Sequence, residues 1–150
     1  MEKWGPVEAT KTYFKNDILV YFKLVEERVK KQDIENFLIK LEEFYLELKE
    51  KNEEPYFIWN INLLLVLPTS YIQIITDFMP KLRELGGTQS KASAVIFPSS
   101  SIRTILNKYM VQYNMDAAFI KFVKNYDLSI GFLKSLGLKM EEYVPNVAYA

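Results

Sequence analysis

The sequence contains no cysteine and no histidine. That double absence removes disulfides, thiolate nucleophiles, Cys/His metal sites and imidazole acid–base chemistry together. Net charge is missing as well: nineteen basic residues balance nineteen acidic ones. No overall field draws the chain to a polyanion or an anionic membrane, and no nucleic-acid partner is expected. Long apolar runs are also lacking. Ile61 to Pro68 holds Asn62 and ends at proline, far short of the roughly 20 residues that span a bilayer, so the chain is expected not to be transmembrane. Met1 to Pro6 offers acidic and breaker residues where an export signal needs an apolar stretch of about 7–15. With the lack of cysteine, this gives an expectation of a cytoplasmic protein. No Asp or Glu stands beside an obvious nucleophile, and Asp77 and Glu84 are too far apart on a helix to couple. Hence no catalytic residue, no metal and no cofactor is expected, and the chain is read as a non-enzyme.

What is present suffices for one folded unit. One hundred and fifty residues, 49% of them hydrophobic, make a domain able to bury an ordinary core. From Val7 to Val25, β-branched and aromatic residues interrupted by Lys15-Asn16-Asp17 predict a β-hairpin. Asp33 then caps a helix whose Ile34, Phe37, Leu38, Leu41, Phe44, Tyr45 and Leu48 recur at spacings of three and four, ended by Pro55. The outward Lys40, Glu43, Glu47, Lys49, Glu50 and Lys51 read as a solvated helix face. Tyr56 to Ile61, nearly all apolar, reads as a strand near the sheet centre, covered on both faces. Thr69 or Ser70 starts a second helix carrying Ile72, Ile75, Phe78, Met79, Leu82 and Leu85 before Gly86-Gly87, kinked at Pro80. Ala92 to Phe97 is a strand. Pro98 to Ser101 opens a third helix with Ile102, Ile105, Leu106, Tyr109 and Met110 on one face. Ala118 to Val123 is a fifth strand. Asn125 caps a last helix with Leu128, Ile130, Phe132, Leu133 and Leu136, closed by Gly137. The expected fold is therefore α/β, a single domain over residues 1–139 with a C-terminal tail 140–150. It has a mixed, mostly parallel five-stranded sheet and four or five helices.

This order, with three local segments, resembles the STAS family (sulfate transporter and anti-sigma-factor antagonist) and its SpoIIAA-like relatives, over roughly Tyr13 to Leu136. The first segment is the strand Tyr56 to Asn60 followed by Leu67-Pro68-Thr69-Ser70 at a helix start, where the family places a phosphorylatable Ser or Thr. Here Pro68 stands where the family has an aspartate, and Tyr71 where it has a glycine. The second is Pro98-Ser99-Ser100-Ser101-Ile102-Arg103-Thr104-Ile105-Leu106, similar to the family's polar turn and short helix. The third is Phe119-Ile120-Lys121-Phe122 with Asn125, Ile130 and Leu133, similar to its closing strand and helix. The resemblance implies a non-catalytic, regulatory, protein-binding module that contacts its partner around the second helix and the loop before it. In some relatives a nucleotide or an apolar ligand binds there.

The candidate residues follow. Thr69 and Ser70 are candidate phosphoacceptors. Ser99, Ser100, Ser101 and Arg103 form a candidate anion site, because a helix N-terminus exposes unpaired N–H groups with about half a positive charge. Capping of their own helices is by itself sufficient reason for these hydroxyls. Leu63, Leu64, Leu65, Tyr71 and Ile74 are the expected partner contacts, since a run of leucines beside a helix start cannot all face one way. The occupant is expected to be a protein partner or a second copy of the chain. The alternative is an apolar small molecule, held as by a carrier or sensor between sheet and helices near Trp59, Phe78 and Phe97.

Overall fold

The computed structural model describes residues 1–63, 70, 71, 73, 74, 77, 78, 81, 91–97, 99–112 and 120–142, with backbone alone at 102, 107 and 109–112. Its elements run β1 (Glu2–Trp4), β2 (Val7–Tyr13), β3 (Ile18–Leu24), α1 (Lys31–Lys51), β4 (Tyr56–Asn60), β5 (Ala92–Ile96), α2 (Ser100–Gln112), β6 (Ile120–Val123) and α3 (Tyr126–Ser135). Ser70, Tyr71, Gln73, Ile74, Asp77, Phe78 and Lys81 are helical as well.

The strands form one six-stranded sheet in sequential order from β1 to β6. β1, β2 and β3 are mutually antiparallel, and β3 to β6 are parallel. The expected α/β class with a mixed, mostly parallel sheet therefore stands, but the count of five strands is corrected to six. β1 is the addition. Its three residues are too few to show a period, and Gly5-Pro6, read in the sequence as a break, is the hairpin turn that creates it. Trp4 pairs with Val7 across that two-residue turn, and Gly5 has φ +62. Proline at the second position fixes φ negative, so the turn needs a positive φ at the first, which glycine adopts without a Cβ clash. The count of four or five helices is likewise replaced by three with defined bounds among the described residues, besides the helical positions between Ser70 and Lys81.

Local chemistry sets the other boundaries. Phe14 N–H donates to the Asp17 carbonyl at 2.8 Å and closes the β2–β3 turn where the polar cluster predicts it. α1 starts at Lys31, before Asp33. Asp33 caps from inside the helix, its Oδ2 accepting the Lys30 N–H at 3.2 Å. The helix stops at Asn52 in the left-handed region, φ 54, so the chain has already left it when Pro55 arrives. Asn125 caps α3 as expected, its Oδ1 accepting the Leu128 N–H at 2.9 Å. The strand at Ala92 ends at Ile96, and β6 begins at Ile120, with Ala118 and Phe119 outside the described residues. Ile105, expected on the inner face of the third helix, is 43% exposed. The positions of Ile72, Ile75, Met79, Pro80, Leu82, Leu85, Gly86 and Gly87 lie outside the described residues.

α1 and the helical residues Ile74 and Phe78 pack on one face of the sheet, over Val20, Phe22, Phe57 and Trp59. Lys81 Nζ reaches Glu42 of α1 at 3.0 Å. Two crossovers of the same hand between neighbouring parallel strands put both helical segments on that face. α3 follows the last strand and turns to the other face, over Ile58, Ala94, Ile96 and Val123, with Leu133 fully buried.

Candidate functional site

Because β3 to β6 share a direction, their carboxyl ends at Leu24, Asn60, Ile96 and Val123 line one rim, the usual place for ligands in open α/β sheets. The opposite rim is closed. Asp17, 8% exposed, accepts the Lys139 N–H at 2.9 Å and approaches Lys91 Nζ at 3.4 Å. Lys15 N–H donates to the Glu141 carbonyl at 3.0 Å, and the Tyr56 hydroxyl donates to the Leu136 carbonyl at 3.3 Å. Burial and the Asp17 charge raise the pKa of that phenol, so it stays a hydrogen-bond donor. The beginning of the tail, to Glu142, thus docks under the amino ends of the strands.

At that rim Asn60 Nδ2 donates to the Tyr21 hydroxyl at 2.7 Å. Asn60 Oδ1 accepts the Asn62 N–H at 3.1 Å, which turns the chain outward as β4 ends. Tyr126 meets the Tyr21 ring edge-on at 5.8 Å. Its pKa is raised by burial first, then by Tyr21 and Asp127. These groups position one another and supply neutral donors. Among the described residues, no group of three or more His, Cys, Asp or Glu is placed to hold a metal ion, and no described helix is long and apolar enough to cross a membrane.

The sequence-derived candidates fall around this rim as follows. Leu63 is 36% exposed in the turn after β4. Ser70 is exposed at the first described helical position, Tyr71 is half-buried, and Ile74 is half-buried against the α1-side core. Thr69, Leu64 and Leu65 lie outside the described residues. Ser99, Ser100 and Ser101 are exposed at the start of α2. The Ser99 carbonyl accepts the Arg103 N–H at 3.1 Å, and the Ser100 carbonyl accepts the Thr104 hydroxyl at 3.0 Å. Arg103 Nη1 turns back to the Phe97 carbonyl at 2.5 Å, tying the helix start to the strand before it. Of the aromatics named for a ligand pocket, Trp59 is stacked on Phe22 at 4.1 Å, Phe78 leans on the same core, and Phe97 is 2% exposed.

One feature escapes sequence reading altogether. A groove of about 510 Å³ runs between β6 and α3, lined by Arg103, Lys121, Phe122, Lys124, Asp127 and Leu128 among others. No motif announces it, because it is made of a strand edge and a helix flank. The available signal was Gly131, a glycine inside the apolar period of a helix, where it lowers helix stability without serving a cap. Comparison of the chain with protein-family models, with curated protein sequences and with solved structures finds no match.

Proposed function

We propose that the chain is a non-catalytic, regulatory binding module of STAS-like type, which acts by presenting the carboxyl-end rim of its parallel sheet to a protein partner. The observation that carries this reading is the exposure of Leu63 in the turn just after β4. There Asn60 is held by Tyr21 and directs the chain outward. A contact surface gains from such a fixed base, since less freedom is lost when the partner arrives. Sequential parallel strands joined by helical crossovers are the coarse architecture expected of such a module. Of the two candidate phosphoacceptors, Ser70 is exposed at the first described helical position, and Thr69 lies outside the described residues. A phosphate there adds about −1.5 to −2 charge beside the contact surface and switches docking on or off. The apolar-carrier reading has less support, because Trp59 is covered by Phe22.

The test is a comparison of wild-type chain with Leu63→Asp and Ser70→Glu. Co-purification from the native host is followed by reconstitution with the recovered partner, and light scattering reports self-association. Loss of the complex in Leu63→Asp, with unchanged circular dichroism and melting, is the expected result. A complex of equal affinity in both variants overturns the rim as the contact surface.

A further inference from the structure

Gly131 lies within α3, and a Cβ built on it meets no atom within 4 Å. Close packing therefore does not require the glycine, and its φ is not in the left-handed region that would. What the missing side chain leaves is a notch in one wall of the β6–α3 groove, between Asp127 and Leu128 on one turn and Phe132 and Ser135 on the next.

The floor of the groove is a strand edge that no described strand pairs with. β6 is the last strand of the sheet, and the Val123 carbonyl accepts the Phe97 N–H at 2.9 Å. Val123 and, by the two-residue alternation of a strand, Lys121 thus turn their backbone groups toward β5. The N–H and C=O of Ile120 and Phe122 point the opposite way, along the outer edge. No strand among the described residues pairs with them, and four residues of such an edge offer a template about 13 Å long.

Charge then selects the occupant. Among the described residues the lining carries Lys121 and Lys124, with Arg103 tied to the Phe97 carbonyl, against one acid, Asp127, in a chain whose net charge is zero. Lys121 and Lys124 are exposed and make no ion pair with a described residue, and the Lys121 ammonium lies 5.7 Å over the Phe132 ring. A second copy offering its own β6 would set lysines against lysines, which disfavours self-pairing. Leu128, 53% exposed, and the half-buried Phe132 supply apolar contact on the α3 side for every second side chain of an extended guest. We propose that the β6 edge and the α3 groove dock an acidic, extended segment of a partner protein, which adds to the sheet as a seventh strand. This surface is separate from the Leu63 rim, and the inference rests on the binding reading but not on that rim.

The experiment uses the whole chain and three labelled peptides followed by fluorescence anisotropy. One alternates glutamate and valine, the second is the same peptide methylated on alternate backbone nitrogens, and the third alternates lysine and valine. The glutamate peptide is expected to bind saturably and to weaken as salt rises, with the methylated form at least about tenfold weaker. Gly131→Glu fills the notch with a like charge and is expected to lower affinity by a similar factor with unchanged circular dichroism. The double variant Lys121→Glu with Lys124→Glu is expected to prefer the lysine peptide. Leu63→Asp is expected to bind the glutamate peptide as wild type does. Equal binding of the methylated peptide reduces the site to charge alone and overturns the proposal. So does full displacement by inorganic phosphate or a single-stranded oligonucleotide, undiminished binding to Gly131→Glu, or no binding to any peptide. Loss in Leu63→Asp together with retention in Gly131→Glu would move the site to the rim, and so separates the two readings.

Discussion

The two faces of the sheet are filled with opposite materials. Beneath α1 lies a continuous layer of rings. Trp4 contacts Phe22, Phe37 and Phe44 with centroids 5.4 to 5.8 Å apart, and Phe22 stacks on Trp59 at 4.1 Å with an interplanar angle of 16°. Beneath α3 the sheet offers Ala92, Ala94, Ile58 and Ile96, and the helix answers with fully buried Leu133 and Ser129. Aromatic pairs add about 0.5–1.5 kcal/mol each beyond their buried area. The first face therefore holds the fold, under a helix of 21 residues. The second lets a helix of 10 residues lie close to small side chains at one end of the sheet, touching β4, β5 and β6. The difference teaches that bulk and close approach are assigned to separate faces in this chain. One face is closed by bulk, and the other leaves a strand edge and a groove.

The comparison is broken most severely at Phe57, fully buried against Phe22, Phe44, Tyr45 and Trp59. Phe57→Ala is expected to lose about 3–5 kcal/mol in urea unfolding, a large share of a domain's stability. On the other face the fault runs in the opposite direction. Ala94, 0% exposed, has no room for growth, and Ala94→Leu is expected to cost about 1–3 kcal/mol by pushing α3 away. An equal loss for Ala94→Gly and Ala94→Leu would show that tight contact with α3 is not what limits this position.

A smaller effect sits at the margin of the aromatic face, where Lys11 Nζ meets Glu53 Oε1 at 2.7 Å and the Tyr13 hydroxyl donates to Glu53 Oε2 at 3.0 Å. Burial is the largest single influence and works against both charges, but the hydrogen bonds they make with each other and with Tyr13, together with their mutual attraction, outweigh it, so Glu53 titrates below and Lys11 above the ordinary value. A carboxyl depressed on folding contributes stability that is present above its unfolded pKa of about 4.3. That contribution is lost as pH falls through the lower folded value. Glu53→Gln is expected to cost up to about 1 kcal/mol at neutral pH and to converge with wild type in acid. A constant gap between the two melting curves down to the lowest pH would remove Glu53 from the acid response. The smallest effect is a gain. Gly131→Ala is expected to stabilise by about 0.5–1 kcal/mol, because the new methyl meets open space and the helix loses an unfavourable glycine.

What was legible in the sequence follows the same division. The face under α1 announces itself through Phe37, Leu38, Leu41, Phe44, Tyr45 and Leu48, because a long helix repeats its period often enough to be read. β2, β3 and the turn at Asp17 are readable because two runs with β-branched, aromatic and aliphatic residues flank a polar break. β1 is not, since its three residues carry no period and its Gly5-Pro6 turn resembles a stop. The hydroxyls at Ser70 and Ser99 to Ser101 could be placed at helix starts, but the use of Arg103 as a tie to Phe97 depends on a strand–helix angle that spacing does not encode. The groove is the least legible part. Its backbone donors and acceptors exist at every residue, and they become a surface once the order of the strands makes β6 an edge.

The Lys139 N–H donates to Asp17 across 122 positions of chain. A ribosome making this protein can complete the aromatic layer while much of the message is still untranslated, but that bond waits until residue 139 has cleared the exit tunnel. Until then Asp17 has no tail against it, and the amino ends of the strands remain uncapped in the nascent chain. Premature termination before that point would yield a product with its aromatic layer assembled and its underside bare, marked for proteolysis at the amino ends of its strands.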